Sequence, residues 1–222
     1  MKKIPKYPLM KNFLLMTKKG LFITFEGGDG AGKSTLIEGI KSFILEKGLA
    51  IRVTREPGGT SLGEEIRHWL LHSGTASPMM AKTELLLFLA SRAQHIEEVI
   101  VPSLERGEVV LCDRFNDSSI AYQGVGRNLG LDYVEKLCDD VCQKIVPDLT
   151  FYLDLDPQLG MKRRQQVNEK VDRIEEAGLT FHQRVREGFL ELARRHPRIH
   201  VIDAKQSAEA VLQEALKILE SI

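Results

Sequence analysis

A run of glycines ending in Lys33 and Ser34 carries the clearest chemical signal in the chain. Residues 27–34 read GGDGAGKS and fit the pattern G-x-x-x-x-G-K-[ST], in which glycines let backbone N–H groups wrap around phosphates. Lys33 can reach the β- and γ-phosphates of a nucleotide, and the Ser34 hydroxyl can bind Mg²⁺. A glycine-rich turn without a ligand is the alternative, but the pattern favours a phosphate-binding loop, the P-loop. The residues predicted to bind the nucleotide phosphates are Gly27, Gly28, Asp29, Gly30, Ala31, Gly32, Lys33, Ser34 and Thr35.

Asp113 and Arg114 form a second polar pair, at the end of a buried-type strand that begins at Glu108. In open α/β sheets, ligands bind outside the carboxyl ends of the strands. At that edge an aspartate can position Mg²⁺, directly or through water, and an arginine can bridge two phosphates. A surface Asp-Arg pair is common, but the polar and aromatic residues that follow favour a site. They are Ser118, Ser119, Tyr122, Gln123 and Arg127.

The elements that must position these residues alternate between strands and helices. Runs rich in β-formers predict five strands, at Leu21–Glu26, Ala50–Thr54, Glu108–Asp113, Leu149–Leu155 and Ile199–Ile202. Helical spacing predicts helices at Lys33–Lys47, Gly63–Leu71, Thr83–Leu104, Leu131–Val146, from Pro157, at Phe181–His196 and, capped by Ser207, at Ser207–Ile222. This alternation predicts a three-layer α/β fold of the P-loop NTPase type, with a parallel five-stranded sheet covered on both faces.

The composition is that of an ordinary globular protein. Lys plus Arg number 31 and Asp plus Glu number 31 in 222 residues, so the chain lacks the basic footprint of a duplex-binding protein. We therefore expect no nucleic-acid partner and a single domain at residues 16–222. The cysteines Cys112, Cys138 and Cys142 include no CxxC pair and are interpreted as small buried hydrophobes rather than metal ligands.

The first residues of the chain differ from the rest. They carry four lysines and one short apolar run, Phe13–Met16, which is too short for a signal sequence or a membrane span. We therefore expect no membrane association and a cytoplasmic location. Residues 1–15 are predicted to be a loosely ordered extension, with Met16 as an alternative start; N-terminal sequencing of the native protein tests this.

Four segments carry a resemblance to a known family. They are residues 25–35 (FEGGDGAGKST), 54–60 (TREPGGT), 113–127 (DRFNDSSIAYQGVGR) and 147–154 (PDLTFYLD). Together and in this order they are strongly specific, and the chain from about Leu21 to its C-terminus resembles the thymidylate kinases. The resemblance implies transfer of the γ-phosphoryl group of Mg·ATP to dTMP, giving dTDP and ADP for dTTP biosynthesis. It also implies a homodimer.

The resemblance assigns roles on the acceptor side. Phe88 corresponds to an aromatic ring that stacks on thymine, and Arg92 to an arginine that bonds the edge of the base. Without the family, core packing would be favoured for Phe88, because leucines surround it. Tyr122 corresponds to a ring below the sugar that leaves no room for a 2′-hydroxyl. The other residues implied to bind substrate are Arg55, Glu56, Pro57, Asp113, Arg114, Ser118, Ser119, Gln123 and Glu175.

Residues 163–178 correspond to the mobile lid of the family. On composition alone, a solvated charged loop is the alternative. The variable P-loop positions carry no cation, so the resemblance places the donor-side arginine in the lid, at Arg163, Arg164 or Arg173, with Lys170 as a further lid cation. The residues implied to act in catalysis are Lys33, Arg114, Asp29, Arg163 and Arg173, and those near Mg²⁺ are Ser34, Asp29 and Asp113.

Two rival functions remain open from the sequence. A P-loop also serves switch proteins, but the chain has no NKxD motif and no DxxG at a strand end. Another nucleotide kinase is the second rival. A nucleoside kinase needs a base to take up the 5′-hydroxyl proton, whereas a monophosphate kinase needs cations for the acceptor phosphate. Arg55 and Arg114 favour a monophosphate, with in-line transfer by positioning and charge stabilisation.

Overall fold

The computed structural model describes residues 20–72, 78–166 and 172–222. The predicted extension, residues 1–15, lies outside the described residues, so its loose order stays a prediction. The sheet is built from five strands: β1 Leu21–Gly27, β2 Ile51–Arg55, β3 Val109–Asp113, β4 Leu149–Asp154 and β5 Ile199–Asp203. All pairings are parallel, and the order is β2-β3-β1-β4-β5. The predicted parallel five-stranded sheet is confirmed.

The strand order brings three motifs to one edge of the sheet. β3 lies between β2 and β1, and its last residue, Asp113, is in register with Arg55 of β2 and Phe25 of β1. The P-loop follows β1 directly. Because parallel strands end at the same edge, the P-loop, the segment after Arg55 and the Asp113-Arg114 pair leave the sheet side by side.

Helices connect the strands, and all but the short helix at Asn116–Ser119, which was not predicted, have bounds close to those predicted. They are α1 Lys33–Glu46, α2 Ser61–His72, α3 Ala81–His95, α4 Val101–Glu105, α5 Asn116–Ser119, α6 Leu131–Cys142, α7 Pro157–Gln166, α8 Leu179–Arg195 and α9 Ala208–Ser221. Two π-helical segments, Ile96–Ile100 and Ile120–Gly126, continue α3 and α5 and were not predicted. The predicted helix Leu131–Val146 ends early because Gln143 adopts a left-handed φ of 53°.

Helices cover both faces of the sheet, as a three-layer fold requires. Ile23 and Phe25 face one side, where they pack with α1 and α9 through residues such as Ile40. Phe22 faces the other side and packs against Phe115, with ring centroids 5.0 Å apart. The alternation along β1 is the period-two pattern of a strand buried on both faces.

All three cysteines are buried and free of disulfides. Cys138 and Cys142 lie one turn apart on α6 and both face the interior, as predicted for small hydrophobes. Burial raises the pKa of the Cys138 thiol to about 11 and that of Cys142 to about 12, and it raises the pKa of Cys112 as well. The thiols are therefore protonated at neutral pH.

Two smaller features agree with the sequence. Ser207 caps α9, because its hydroxyl oxygen accepts a hydrogen bond from the Ala210 N–H at 3.2 Å. Among the described residues, no helix combines the length and the apolar content that crossing a bilayer requires.

A pair of glycines brings α7 against the P-loop. A Cβ at Gly30, whose φ is +77°, would lie 2.6 Å from the Gly160 carbonyl oxygen, and one at Gly160 would lie 2.5 Å from the Asp29 carbonyl oxygen. Side chains at these positions would push α7 away. Because α7 carries Arg163 and Arg164, the contact holds both arginines beside the loop.

Candidate active site

A cleft of about 580 Å³ opens at the carboxyl ends of the central strands. Most residues predicted from the sequence line it, from Asp29 and Lys33 on one wall to Phe88 and Gln123 on the other. The predicted residues that do not line it are Gly27, Gly28, Ala31, Arg92 and Arg173. The cleft thus brings the P-loop and the acceptor-side motifs together around one space.

Lys33 begins α1 and is held inside the P-loop. Its ammonium lies 3.2 Å from the Gly27 carbonyl oxygen, 3.3 Å from that of Gly28 and 3.8 Å from Asp29 Oδ1. Burial and the charge of Arg114 lower the pKa of Lys33, while nearby carboxylates oppose that shift. Gly27 and Gly28 therefore supply carbonyl partners behind the loop, and a bound phosphate would supply further negative charge next to Lys33.

Arg114 links β3 to the P-loop. Its Nη2 donates to Asp29 Oδ1 at 2.6 Å and its Nη1 to the Gly27 carbonyl oxygen at 2.8 Å. Burial alone would raise the pKa of Asp29, but the cations Arg114, Lys33 and Arg164 outweigh it and lower the pKa to about 2. Arg114 itself has a left-handed φ of 68°, an uncommon conformation outside glycine that is typical of functional sites.

Asp113 and Ser34 offer oxygen atoms that suit Mg²⁺. Asp113 Oδ1 is buried and accepts no hydrogen bond from any described residue, and Ser34 lines the same cleft. Over residues 20–72, 78–166 and 172–222, no cluster of three or more His, Cys, Asp or Glu side chains could hold a metal. Mg²⁺ commonly takes only one or two carboxylates, with water and phosphates. Asp113 and Ser34 fit this ion better than Asp29, which is paired with Arg114.

Glu26 is a buried carboxyl that the sequence did not single out as a functional residue. It accepts hydrogen bonds from the Phe115 N–H at 2.8 Å and the Ser118 hydroxyl at 2.6 Å. Burial and the charge of Asp117 raise its pKa to about 8, although Ser118, Arg114 and Phe115 oppose the shift. Glu26 lies within β1 before the P-loop, and nothing in the sequence there indicates a hydrogen bond with Ser118.

Replacing Glu26 with glutamine is expected to change how stability depends on pH. The pKa of Glu26 is about 8 in the folded protein against an ordinary 4.5, so the folded state holds this proton more tightly and the free energy of unfolding falls as pH rises across that interval. The glutamine amide cannot ionise, so the E26Q variant lacks this loss. Urea unfolding at pH 5 and pH 8.5 should show the variant gaining a few kcal/mol relative to the wild type at the higher pH. An equal difference at both pH values would contradict the raised pKa.

Arg92 is held by buried hydrogen bonds within the protein. Its side chain is 1% exposed and does not line the cleft. Nε donates to Glu56 Oε2 at 2.8 Å, and Nη2 donates to the Phe115 carbonyl oxygen and to Ser119 Oγ, both at 3.0 Å. In this structure Arg92 positions Glu56 and Ser119, two residues that do line the cleft. Its direct contact with the base stays a prediction.

Two aromatic rings line the acceptor side of the cleft. Phe88 also packs against the hydrophobic core, whereas its stacking on thymine stays a prediction. The Tyr122 ring lies under the Arg114 guanidinium, 5.3 Å from centroid to Cζ. Burial raises the pKa of Tyr122, despite the opposing charge of Arg114, so the ring is neutral at working pH.

The arginines of the predicted lid fall in different places. Arg163 and Arg164 of α7 line the cleft, as does Glu175, and Arg164 forms an ion pair with Glu175. Arg163 Nη1 donates to the Ala204 carbonyl oxygen at 3.0 Å. Lys170 lies outside the described residues, and the mobility of the lid stays a prediction.

Arg173 does not line the cleft, and its catalytic role stays a prediction. Its Nε donates to the Leu70 carbonyl oxygen at 2.9 Å, and its Nη2 lies 2.7 Å from Glu84 Oε2. These contacts hold it against α2 and α3, outside the cleft lining. The donor-side cations that the cleft does contain are Lys33, Arg163 and Arg164.

Arg67 is a cleft cation that sequence reasoning missed. It lines the cleft with Leu71, and its Nη1 donates to the Pro57 carbonyl oxygen at 2.8 Å. Arg67 and Leu71 are one turn apart on α2, so they share a face of the helix. The sequence could have indicated this shared face, but not that it meets the cleft. Asp172 and Ile174 also line the cleft and were not predicted.

Comparisons with known proteins agree with this geometry. A family model described as thymidylate kinase matches residues 25–215. Thymidylate kinase of Protochlamydia amoebophila is 49% identical over 209 residues, covering 91% of this chain and 93% of that protein. Thymidylate kinase of Acholeplasma laidlawii is 49% identical over 195 residues, covering 87% and 95%. A crystal structure of thymidylate kinase from Ehrlichia chaffeensis superposes with a TM-score of 0.72 at 36% identity, covering 90% of this chain and 98% of that chain.

The match therefore spans the P-loop, the acceptor-side motifs and the sheet that holds them. A family model matches most of the chain, and relatives of that family are nearly half identical to it. A solved structure of the same family shares its fold. The chain belongs to the thymidylate kinase family.

Proposed function

We propose that the chain transfers the γ-phosphoryl group of Mg·ATP to dTMP, giving dTDP and ADP for dTTP synthesis. Family membership supports this reaction. The observation that carries it is that one cleft is lined by the P-loop residues Lys33 and Ser34 and by the acceptor-side cations Arg55, Arg67 and Arg114. A donor triphosphate and an acceptor monophosphate would both find positive charge there.

Catalysis in this site rests on position and charge. Lys33 and the backbone N–H groups of the P-loop hold the β- and γ-phosphates. Arg114 meets the charge that spreads over the transferred group, and its bond to Asp29 at 2.6 Å fixes its direction. Arg163 or Arg164 supplies a further cation from α7. The acceptor phosphate is itself the nucleophile, so the transfer needs no covalent bond to the protein.

Mg²⁺ would bind at Asp113 and Ser34. Bound there, it would neutralise charge on the phosphate oxygens. The chain contributes a buried carboxylate oxygen with no other partner among the described residues and a hydroxyl at the start of α1.

The acceptor side accounts for the choice of base and sugar. Phe88 offers a ring face for stacking on a pyrimidine. Tyr122 is buried and lies beside Arg114. A sugar attached to the acceptor phosphate would lie there, and the ring would leave no room for a 2′-hydroxyl. Both roles belong to the proposal.

A panel of acceptors tests the function directly. Purified protein with Mg·ATP is expected to release ADP rapidly with dTMP, more slowly with dUMP and little with ribo-TMP, AMP, CMP, GMP or thymidine. Chromatography should show dTDP as the product. Turnover with another monophosphate instead would contradict the roles proposed for the thymine site. ADP release that does not depend on any acceptor would contradict the proposed kinase function.

We also propose a homodimer located in the cytoplasm. Leu62 and Trp69 lie two turns apart on one face of α2, with Leu86 on the adjacent α3, and each is about half exposed. An exposed apolar face of this kind suits a subunit interface. Sedimentation should then give twice the 25.0 kDa mass of the chain. The free, buried cysteines suit a reducing compartment, and cell fractionation tests the location.

A further inference from the structure

Glu84 is a buried carboxylate on α3 that gathers one amide and two arginines. Its side chain is 1% exposed. Oε1 accepts hydrogen bonds from Gln123 Nε2 at 2.9 Å and Arg127 Nε at 3.1 Å. Oε2 accepts from Arg127 Nη2 at 3.2 Å and lies 2.7 Å from Arg173 Nη2. Of these partners, Gln123 alone lines the cleft.

The charge of Glu84 decides which end of the Gln123 amide faces it. Burial alone would raise the pKa of Glu84, but hydrogen bonds from Arg127 and Gln123 and the charges of Arg127 and Arg173 lower it. An ionised carboxylate only accepts hydrogen bonds. The amide must therefore turn its nitrogen towards Glu84, and its carbonyl oxygen takes the opposite direction. The structure has the amide in this orientation, with Gln123 Nε2 donating to Glu84 Oε1 at 2.9 Å.

We propose that Glu84 is a positioning residue that sets base specificity through Gln123. By holding the nitrogen of the Gln123 amide, Glu84 leaves the carbonyl oxygen to face the base, so the cleft presents an acceptor. A base with a ring N–H satisfies that acceptor, and a base with a lone pair in the same place leaves two acceptors opposed. This inference rests on the proposed dTMP kinase function and adds a cause for its choice of base.

The chemistry separates three pyrimidines. Thymine and uracil carry an N–H at ring position 3, whereas cytosine carries a lone pair there. Glu84 therefore contributes to the preference for dTMP over dCMP and does not contribute to the preference for dTMP over dUMP, which differ only by the methyl group. Sites built to bond a substrate N–H reject analogues that lack it far more strongly than sites that sense only size.

A purely structural role for Glu84 makes a different prediction. The ion pairs with Arg127 and Arg173 join α3 to other segments, so their loss could lower stability and weaken every substrate alike. The ratio of activities with dTMP and dCMP would then stay unchanged. The ratio therefore distinguishes a positioning role from a structural one.

The experiment compares Glu84→Gln, Gln123→Ala and the double variant by kcat/KM for dTMP, dUMP and dCMP. Removing the charge of Glu84 lets the Gln123 amide turn over. We expect E84Q to lower the dTMP-to-dCMP ratio about tenfold, through KM for the acceptor, with KM for ATP and the dTMP-to-dUMP ratio unchanged. Glu135→Gln is the matched control. Glu135 lies on α6, outside the cleft lining, and its carboxylate pairs with His196 at 2.8 Å.

The double variant shows whether Glu84 acts through Gln123. If it does, adding E84Q to Q123A changes the dTMP-to-dCMP ratio no further. An unchanged ratio in folded E84Q, or additive losses in the double variant, would overturn the proposal. Should E84Q fail to fold, Q123A alone decides, because an unchanged ratio there excludes Gln123 as the reader. Wild-type turnover of dTMP tests the proposed function separately.

Discussion

Replacing Lys33 with alanine is expected to lower kcat roughly 10²- to 10³-fold while the fold stays intact. Among the described residues, Lys33 is the one lysine that lines the cleft, and its ammonium donates to the Gly27 and Gly28 carbonyl oxygens of the P-loop. Its charge interacts most strongly with the γ-phosphoryl group as that group is transferred, so the loss should fall on kcat.

Steady-state dTDP formation at saturating ATP and dTMP measures this effect, and circular dichroism with thermal unfolding checks the fold. Lys41→Ala is a suitable control, because Lys41 lies on the same helix and its ammonium pairs with Glu38, at 2.9 Å, on an exposed surface. Near-normal turnover by folded K33A would refute the assignment of the phosphate-binding loop.

Replacing Arg114 with alanine is expected to lower kcat roughly 10³-fold or more, as for arginines that stabilise phosphoryl transfer elsewhere. The substitution removes the cation between the P-loop and the acceptor side. It also frees Asp29, whose pKa should rise from about 2 towards its ordinary range without its closest cation. A free carboxylate in the cleft would then repel both phosphates, which adds to the loss.

Two further variants sharpen the test at Arg114. Arg114→Lys keeps the charge but loses the two-pronged contact with Asp29 and the Gly27 carbonyl oxygen, so it should recover only part of the rate. Arg106→Ala should retain full activity, because Arg106 lies near the opposite end of β3 and pairs with Glu108 at 2.9 Å. Full activity of the R114A variant would remove Arg114 from the mechanism.

The sequence predicted the fold well because the signals for it are local. The strand runs and the helical spacing each depend on a few neighbouring residues, and their alternation dictates a parallel sheet. The order of the strands was beyond reach, since it depends on contacts between distant segments. The π-helical segment Ile120–Gly126 was also missed, because it depends on tight packing against α8 rather than on a local pattern; a Cβ at Gly126 would lie 2.7 Å from the Phe181 ring.

The sequence predicted the phosphate-binding part of the site best, because one contiguous loop forms it. The P-loop is contiguous, so its motif places Lys33 and Ser34 directly. The sequence could not show where the side chains of Arg92 and Arg173 lie, because a long side chain can reach either into a cleft or into the protein. Their carboxylate partners, Glu56 and Glu84, are far away in sequence, and only the folded chain shows that both arginines lie outside the cleft lining.

The enclosed cysteines have a practical consequence for experiments on this protein. Cys112, Cys138 and Cys142 are the only cysteines of the chain, and each is buried with a raised thiol pKa. Alkylating reagents need an accessible thiolate, so their reaction with the native protein reports the opening of the core. A single cysteine introduced on an exposed helix would react far faster than these three, which gives one position for a fluorophore or a crosslinker without removing any native cysteine.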